Sequence, residues 1–125
     1  MVLWKFKCYD DGQSPNLWQR WYKSNIDYQG SHDAIFEIIE QQQSWTNPYY
    51  TKAMGDDLIE VRLNGAVQWR IFGFYGDKRR EFVVVAIGYH KQNVYYPKAI
   101  KETAKKIIGA IKSGIKKAND CERPN

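Results

Sequence analysis

Residues 58–89 read LIEVRLNGAVQWRIFGFYGDKRREFVVVAIGY, and this stretch decides the fold. Apolar and polar residues alternate over residues 58–63, and Asn64–Gly65, a dipeptide typical of tight hairpin turns, follows directly. A second strand is predicted over residues 67–75. A third, almost continuously apolar as in strands covered on both faces, is predicted over residues 81–88. The sequence therefore predicts a three-stranded antiparallel meander.

Strand and helix patterns precede the meander. Alternating polarity over residues 2–9 predicts a first strand. Ser14–Pro15 resembles a helix start, and Ser31 or Asp33 can cap a second helix that ends near residue 43. The stretch that follows, up to residue 57, shows no clear period, so we interpret it as a loop.

A single long helix pattern follows the meander. Isoleucines recur at helical spacing between residues 97 and 117, and Pro97 fits the first turn. One flank of this predicted helix carries cations, namely Lys98, Lys101, Lys105, Lys112 and Lys116. Residues 119–125 are interpreted as a frayed polar tail.

These patterns predict an α+β fold with a small twisted antiparallel sheet, two N-terminal helices and one C-terminal helix. We expect the helices to pack on one sheet face and a basic groove to lie on the other. One domain covers residues 1–125. It comprises an N-terminal strand and helices at 2–57, the meander at 58–89 and the C-terminal helix at 97–117.

Composition limits the class of protein. The chain has 125 residues and a net charge of +5, which favours an anionic partner such as nucleic acid or an acidic protein. No run of 18 apolar residues is present, which argues against a membrane span, and the first residues resemble no secretory leader, so a cytoplasmic location is expected. Cys8 and Cys121 have no partner at metal-ligand spacing, and both are expected to be plain thiols.

Arg62 and Arg70 lie on opposite sides of the Asn64–Gly65 turn. In a regular hairpin they would meet on one sheet face, and two guanidinium groups on one face suit phosphate binding. A solvated strand face, or pairing of these arginines with Glu60, explains the same pattern.

His90 and Tyr96 form a second candidate pair, between the apolar strand and the last helix. A histidine titrates near neutrality, so it can exchange a proton during attack on a phosphodiester, while Tyr96 could orient or stack. A surface histidine and a tyrosine that covers the core would give the same spacing. His32 is assigned a local structural role only.

Further aromatic residues lie outside the meander: Trp18, Trp21, Tyr22, Trp45, Tyr49 and Tyr50. Aromatic side chains can stack on bases, but at helical spacing they more often belong to a core. The sequence leaves them as core or partner-facing residues.

Three linked motifs within residues 58–108 resemble the RelE/HigB-type toxin superfamily, the ribosome-dependent mRNA endonucleases of bacterial and phage toxin–antitoxin pairs. Residues 59–62 (IEVR) resemble the family's WELR motif, and residues 69–72 (WRIF) resemble its YRIFY motif. Residues 88–91 (GYHK), followed by residues 96–100 (YPKAI) and an alanine in a Lys-rich helix, resemble its third segment. The chain is thereby similar to a phage-derived HigB-like toxin.

The resemblance implies a set of site residues. Arg70 matches the arginine that contacts the scissile phosphate, and His90 stands where some members place a catalytic arginine. Tyr96 matches a family tyrosine. Arg62 matches a basic residue of the neighbouring strand. The other basic residues that we predict to bind or position RNA, on the ground of their charge, are Lys91, Lys98, Lys78, Arg79, Arg80 and Lys101. Glu60 departs from the family, because some members carry a lysine there.

The implied chemistry is attack of a ribose 2′-hydroxyl on the adjacent phosphate, with no metal or cofactor. The implied partners are a cognate antitoxin, the ribosome and mRNA, without a membrane and with the oligomeric state open. Two other classes fit the residues. One is a non-catalytic or gyrase-inhibiting binding protein of the same fold, and the other is an accessory protein of a phage or mobile element with an unknown partner.

Overall fold

Helices cover both faces of a seven-stranded mixed sheet in the computed structural model, which describes residues 2–121. In chain order the elements are β1 (Lys5–Tyr9), α1 (Leu17–Ser24), α2 (Gln29–Ile39), β2 (Thr51–Ala53), β3 (Ile59–Leu63), β4 (Gln68–Tyr75), β5 (Glu81–Lys91), β6 (Val94–Tyr96), α3 (Ile100–Lys112) and β7 (Ala118–Asp120). A short 3₁₀ helix, Ile26–Tyr28, joins α1 to α2. The α+β class with three α-helices is confirmed.

The sheet has the order β2-β3-β4-β5-β1-β7, and β6 pairs with the free part of β5. The prediction of an entirely antiparallel sheet is wrong, because β1 pairs with β5 in parallel. A parallel pair needs a long crossover, and the chain between β1 and β5 supplies one that contains α1, α2 and the β3–β4 hairpin.

In the β3–β4 hairpin Arg62 lies opposite Arg70, so the two arginines share a sheet face as predicted, but the register differs from that of a two-residue Asn64–Gly65 turn, which would pair Arg62 with Val67. Its turn is longer than the tight turn that Asn64–Gly65 predicts, since β4 begins only at Gln68. Tyr28 explains the difference, because its hydroxyl accepts a hydrogen bond from the Val67 backbone N–H at 2.6 Å. The Tyr28 ring also lies against Gly65. The loop therefore packs onto the helical layer.

Strand β5 is buried on both faces, and each face has its own hydrophobic cluster. Phe82 and Val84 belong to the cluster that contains Trp18 of α1 and Phe36 of α2. On the opposite face, the residues that share a cluster are Val83, Val85, Ile100, Ala104 and Ile108, the last three from α3. We call these the α1–α2 face and the α3 face. The expectation that all helices pack on one sheet face is therefore wrong.

Several predicted boundaries shift. Helix α1 begins after Asn16, whose side chain accepts a hydrogen bond from Gln19 N–H, rather than at Ser14–Pro15. Helix α3 begins at Ile100 and ends at Lys112, because Pro97 precedes the helix and Gly114 has a φ of 81°.

Three short strands, β2, β6 and β7, lie where none was predicted. β2 falls inside the predicted loop and pairs with β3, and β7 falls in the predicted tail and pairs with β1. Three-residue strands carry too little alternation to be recognised from sequence alone. Met1 and residues 122–125 lie outside the described residues.

Cys8 and Cys121 form a disulfide that joins β1 to the residue after β7. The prediction of two plain thiols is wrong. A separation of 113 residues concealed the pairing, and only the position of β7 beside β1 brings the two residues together. The bond closes almost the whole chain into one loop.

We expect reduction of this disulfide to lower the free energy of unfolding by about 2–4 kcal/mol, because a cross-link restricts the unfolded chain. Denaturant titrations with and without dithiothreitol measure the difference, and the Cys121→Ser variant, which cannot form the bond, serves as the insensitive control. A thiol assay on the oxidised, denatured protein should find no free thiol. Two reactive thiols there would contradict the pairing.

His32 is fully buried between α1 and α2, which exceeds the local role assigned to it. Trp18 Nε1–H donates to His32 Nε2 at 2.8 Å, so this nitrogen is the acceptor and Nδ1 faces the Asp33 carboxylate at 2.9 Å. The Tyr22 hydroxyl donates to the same carboxylate at 3.0 Å. These hydrogen bonds join the two helices. Trp18, Trp21, Tyr22 and Trp45 are thus core residues, whereas Tyr49 is exposed.

We expect His32→Phe to lower the free energy of unfolding by about 1–3 kcal/mol, because the buried Trp18 N–H loses its acceptor. Urea titration measures the change. Glu37→Ala, an exposed substitution on the same helix, is the control and should stay within about 0.5 kcal/mol of wild type. Equal stability of the two variants would show that the hydrogen bond contributes nothing.

Candidate functional site

A cluster of polar side chains lies on the α3 face, at the end of the sheet where β5 continues into β6. Its members are Glu60 and Arg62 from β3, Gln68 and Arg70 from β4, His90 from β5, Tyr95 from β6 and Lys101 from α3. Paired strand residues share a sheet face, and the face alternates along each strand, so the strand register places these side chains together. We call this group the Glu60 cluster.

Glu60 is the centre of the cluster and is fully buried. Its Oε1 accepts a hydrogen bond from Arg62 Nε at 2.7 Å and lies 3.6 Å from Arg70 Nε. Its Oε2 accepts a hydrogen bond from the Tyr95 hydroxyl at 2.5 Å. A buried carboxylate requires such partners, because removing a charge from water costs several kcal/mol. Two cations thus surround one anion, and a net positive charge remains.

Arg70 is almost fully buried, with 5% of its surface exposed. Its Nη1 donates to Asn64 Oδ1 and to the Trp69 carbonyl, and its Nη2 donates to Gln68 Oε1 at 2.9 Å. Burial lowers the pKa of the guanidinium, and the charge of Glu60 opposes that shift. Arg70 is therefore held in place by neighbours on every side of its guanidinium.

Arg62 differs from Arg70 in being open to solvent, since 26% of its side chain is exposed. Beyond its bond to Glu60, its Nη1 donates only a long hydrogen bond, of 3.2 Å, to the Pro48 carbonyl. Arg62 therefore retains donors that can reach a bound anion.

Tyr95 connects the buried carboxylate to the surface part of the cluster. Burial and the hydrogen bond to Glu60 raise the pKa of its phenol to about 12, so Tyr95 remains a donor at neutral pH. Its ring centroid lies 4.7 Å from that of His90, and Lys101 Nζ lies 5.1 Å above the ring. An imidazole and a flexible ammonium group thus flank one tyrosine.

The predicted meeting of Arg62 and Arg70 is confirmed, and so is the alternative that Glu60 pairs with them. The predicted pairing of His90 with Tyr96 is wrong. Tyr96 pairs with Tyr89 on the α1–α2 face, and their rings stack at 5.1 Å, whereas His90 faces Tyr95.

The two-residue turn Gln92–Asn93 explains this correction. Both residues have positive φ, as in a type I′ hairpin turn, and Lys91 therefore pairs with Val94. Gln–Asn is a weaker hairpin signal than Asn–Gly, so β6 was not predicted and Tyr95 was missed. Counting outward from a two-residue turn at Gln92–Asn93 pairs Lys91 with Val94 and then His90 with Tyr95.

The predicted RNA-binding lysines do not all lie at the Glu60 cluster. Lys101 belongs to the Glu60 cluster, and Lys98 is exposed in the turn before α3. Lys91 is exposed too, but the alternation of β5 places it on the side of Tyr89, away from His90.

The cationic flank of α3 is partly neutralised. Lys105 forms an ion pair with Asp56 at 3.1 Å, and Lys112 pairs with Asp57, both acids lying in the turn between β2 and β3. The predicted row of five free cations is therefore interrupted along the helix.

Lys78, Arg79 and Arg80 are not brought together with the Glu60 cluster. They lie in the β4–β5 turn, whereas the cluster lies near Gln68 and His90 at the other end of the same two strands. From Arg70 to Tyr75, the last residue before the turn, the strand extends roughly 17 Å at about 3.3 Å per residue. A single phosphate cannot contact both groups.

Comparisons of the chain with protein-family models, with curated proteins and with solved structures found no match. Within residues 2–121, none of the helices is long and apolar enough to cross a membrane.

The raised pKa of Tyr95 predicts a pH dependence of stability. Its protonated form is favoured by folding, so its contribution is complete below about pH 10 and is lost as the pH rises toward about 12. We therefore expect the free energy of unfolding of the wild type to fall more steeply over this interval than that of Tyr95→Phe. Denaturant titrations at several pH values measure both slopes. Tyr49→Phe, at an exposed tyrosine, should keep the wild-type slope; the same slope in Tyr95→Phe would refute the assignment.

Proposed function

We propose that the protein is the toxin of a type II toxin–antitoxin pair, of the phage-derived HigB-like kind with a RelE/ParE-like fold, and that it cleaves mRNA on the ribosome. The observation that carries this proposal is the position of His90 on the same sheet face as the Arg62–Arg70 pair. A proton-exchanging group beside fixed cations is what phosphodiester cleavage needs.

In the proposed reaction, His90 takes the proton of the ribose 2′-hydroxyl as that oxygen attacks the adjacent phosphorus. The bond from phosphorus to the 5′ oxygen breaks, which leaves a 2′,3′-cyclic phosphate; the departing 5′ oxygen takes a proton from water to become a hydroxyl, and the His90 imidazolium returns its proton to the solvent. Negative charge grows on the phosphate oxygens in the transition state, and Arg62 and Lys101 are the cluster cations free to contact it. This step uses no metal or cofactor.

The roles that we propose for Arg70 and for the tyrosine beside His90 differ from those that the resemblance implies. Arg70 has its guanidinium engaged by Asn64, Gln68 and Glu60, so it is a positioning residue that fixes the strand face and adds to the local positive potential. Tyr95, rather than Tyr96, lies against His90 and can hold the imidazole in place.

The proposed partners are mRNA in the ribosomal A site and a cognate antitoxin that covers the toxin before its release. The proposed location is the cytoplasm. The Cys8–Cys121 disulfide is unusual for that compartment, where thiols are kept reduced, so the pair would be a dithiol there. The location can therefore be tested by blocking free thiols directly in cells and then measuring whether Cys8 and Cys121 were reduced or joined in a disulfide.

A second candidate function, non-catalytic binding by a toxin-like fold, is favoured by one observation. Glu60 neutralises one of the two arginine charges, and the donors of Arg70 are already occupied. A site of this kind can bind RNA or a protein such as gyrase without cleaving anything.

We expect His90→Ala and Arg62→Ala each to lower translation-dependent mRNA cleavage by about 100-fold or more, because each removes a group used in the transition state. The measurement is induction in a bacterial host followed by mapping of mRNA 5′ ends. Arg70→Ala is unsuitable, because it would leave the Glu60 carboxylate buried beside one arginine.

Lys23→Ala, which removes an exposed cation at the end of α1, is the control and should cleave like the wild type. Circular dichroism should show that all variants are folded. Cleavage that survives in His90→Ala would remove His90 from the mechanism. Growth arrest without cleavage would support a gyrase-type target, and the absence of both would support a non-catalytic binding protein.

A further inference from the structure

We propose that the β4–β5 turn forms a second site, which binds single-stranded RNA independently of the Glu60 cluster. The turn carries Lys78, Arg79 and Arg80, and the groove beside it is lined by the aromatic side chains of Trp4 and Tyr75. This inference goes beyond the proposed function, because the turn would bind RNA whether or not the Glu60 cluster cleaves it.

A groove of about 660 Å³ lies beside the turn, between the turn and the chain that follows α2. Trp4, Gln43, Ser44 and Tyr75 line it together with residues 76–80. Lys78 and Arg79 are exposed, and residues 76–80 carry three cations and one carboxylate, Asp77, which gives them a net charge of +2; the next carboxylate, Glu81, is buried and pairs with Lys7. The groove therefore combines positive charge with amide and hydroxyl groups.

Tyr75 supplies a surface on which a base can stack. Its side chain is 44% exposed, although its ring packs against Trp4 at 5.4 Å and Trp45 at 5.8 Å between ring centroids. One part of the ring is thus fixed by the core while another part remains in solvent. A rigid, half-exposed aromatic ring beside flexible cations is the combination that binds single-stranded nucleic acid, because rings stack on bases and cations contact phosphates.

Backbone hydrogen bonds hold the turn in place. Gly76 N–H donates to the Glu81 carbonyl at 2.8 Å, and Lys5 N–H donates to the Arg80 carbonyl at 2.9 Å. Arg80 has a φ of 55°, and among residues 2–121 its buried Nε has no hydrogen-bond partner. The cations are therefore attached to an ordered backbone, and the exposed side chains of Lys78 and Arg79 are the ones that can reach a bound strand.

An acidic protein surface is the other class of partner that a basic turn attracts. Charge alone does not separate the two, but the exposed ring does, because stacking on Tyr75 contributes to RNA binding and has no counterpart in contact with carboxylates. The experiment therefore tests charge and stacking separately.

The experiment is titration of the full-length protein into a labelled, unstructured RNA of about 12 nucleotides, followed by fluorescence anisotropy at several salt concentrations. We expect the Lys78→Ala/Arg79→Ala double variant to bind about 10-fold more weakly or worse at low salt. Its log–log salt slope should fall by about 1.4, since each lost phosphate contact removes about 0.7. The matched control, Lys23→Ala/Lys106→Ala, removes two exposed cations elsewhere and should bind like the wild type.

Tyr75→Leu should weaken binding by about 5-fold or more while keeping the wild-type salt slope, because stacking releases no counterions. Wild-type binding by the turn double variant, or an equal loss in the control, would overturn the site. A loss in the double variant with no loss in Tyr75→Leu would overturn stacking on Tyr75 and leave attraction by charge alone, which suits an acidic protein equally well.

The assay contains no ribosome, so its result does not depend on mRNA cleavage. A protein that cleaves mRNA in cells but whose turn variant binds RNA normally would keep the proposed function and lose this site. A protein that does not cleave, but whose binding falls as described, would keep the site and lose the proposed function.

Discussion

Burial of strand β5 on both faces is the constraint on which the arrangement of this molecule depends. Its apolar side chains need cover on each side, and α3 provides it on one face while α1 and α2 provide it on the other. Because helices cover both faces of the sheet, neither face is open to form the broad basic groove that was expected. The two positively charged groups of the sheet, the Glu60 cluster and the β4–β5 turn, consequently lie toward opposite ends of the long strands.

The Glu60 cluster shows how one buried charge limits what its neighbours can do. The Glu60 carboxylate must be neutralised, and Arg70 is held beside it by three further acceptors, so this arginine belongs to the scaffold more than to the surface. Arg62 and Lys101 lie at the edge of the same network and keep contact with solvent. A reaction at this site therefore depends on Arg62 and Lys101, at the edge of the hydrogen-bond network, rather than on Arg70 at its centre.

The sequence predicts the β3–β4 hairpin and places Arg62 and Arg70 on its two strands, because alternation along each strand is a local property, whereas the longer turn that pairs the two arginines depends on a tertiary contact with Tyr28. It does not predict that Tyr95 rather than Tyr96 faces His90, since a single hairpin turn of weak composition decides which of two adjacent tyrosines lies on which face. It also misses the disulfide, because β7 is short and Cys8 meets Cys121 only through tertiary structure. Local sequence patterns thus predict the class of fold. Which residues belong to the site, however, depends on the strand register, and a shift of one residue changes the answer.

The distribution of positive charge follows from the same geometry. The lysines of α3 would connect the Glu60 cluster to the β4–β5 turn, but Asp56 and Asp57 neutralise Lys105 and Lys112 midway. Exposed ion pairs are weak in energy, yet each one cancels the field of its cation for a distant phosphate. The result is two separate regions of positive potential, roughly 17 Å apart along the strands. A polyanion that contacts both must therefore bridge a neutral interval, which favours a flexible chain over a single small anion.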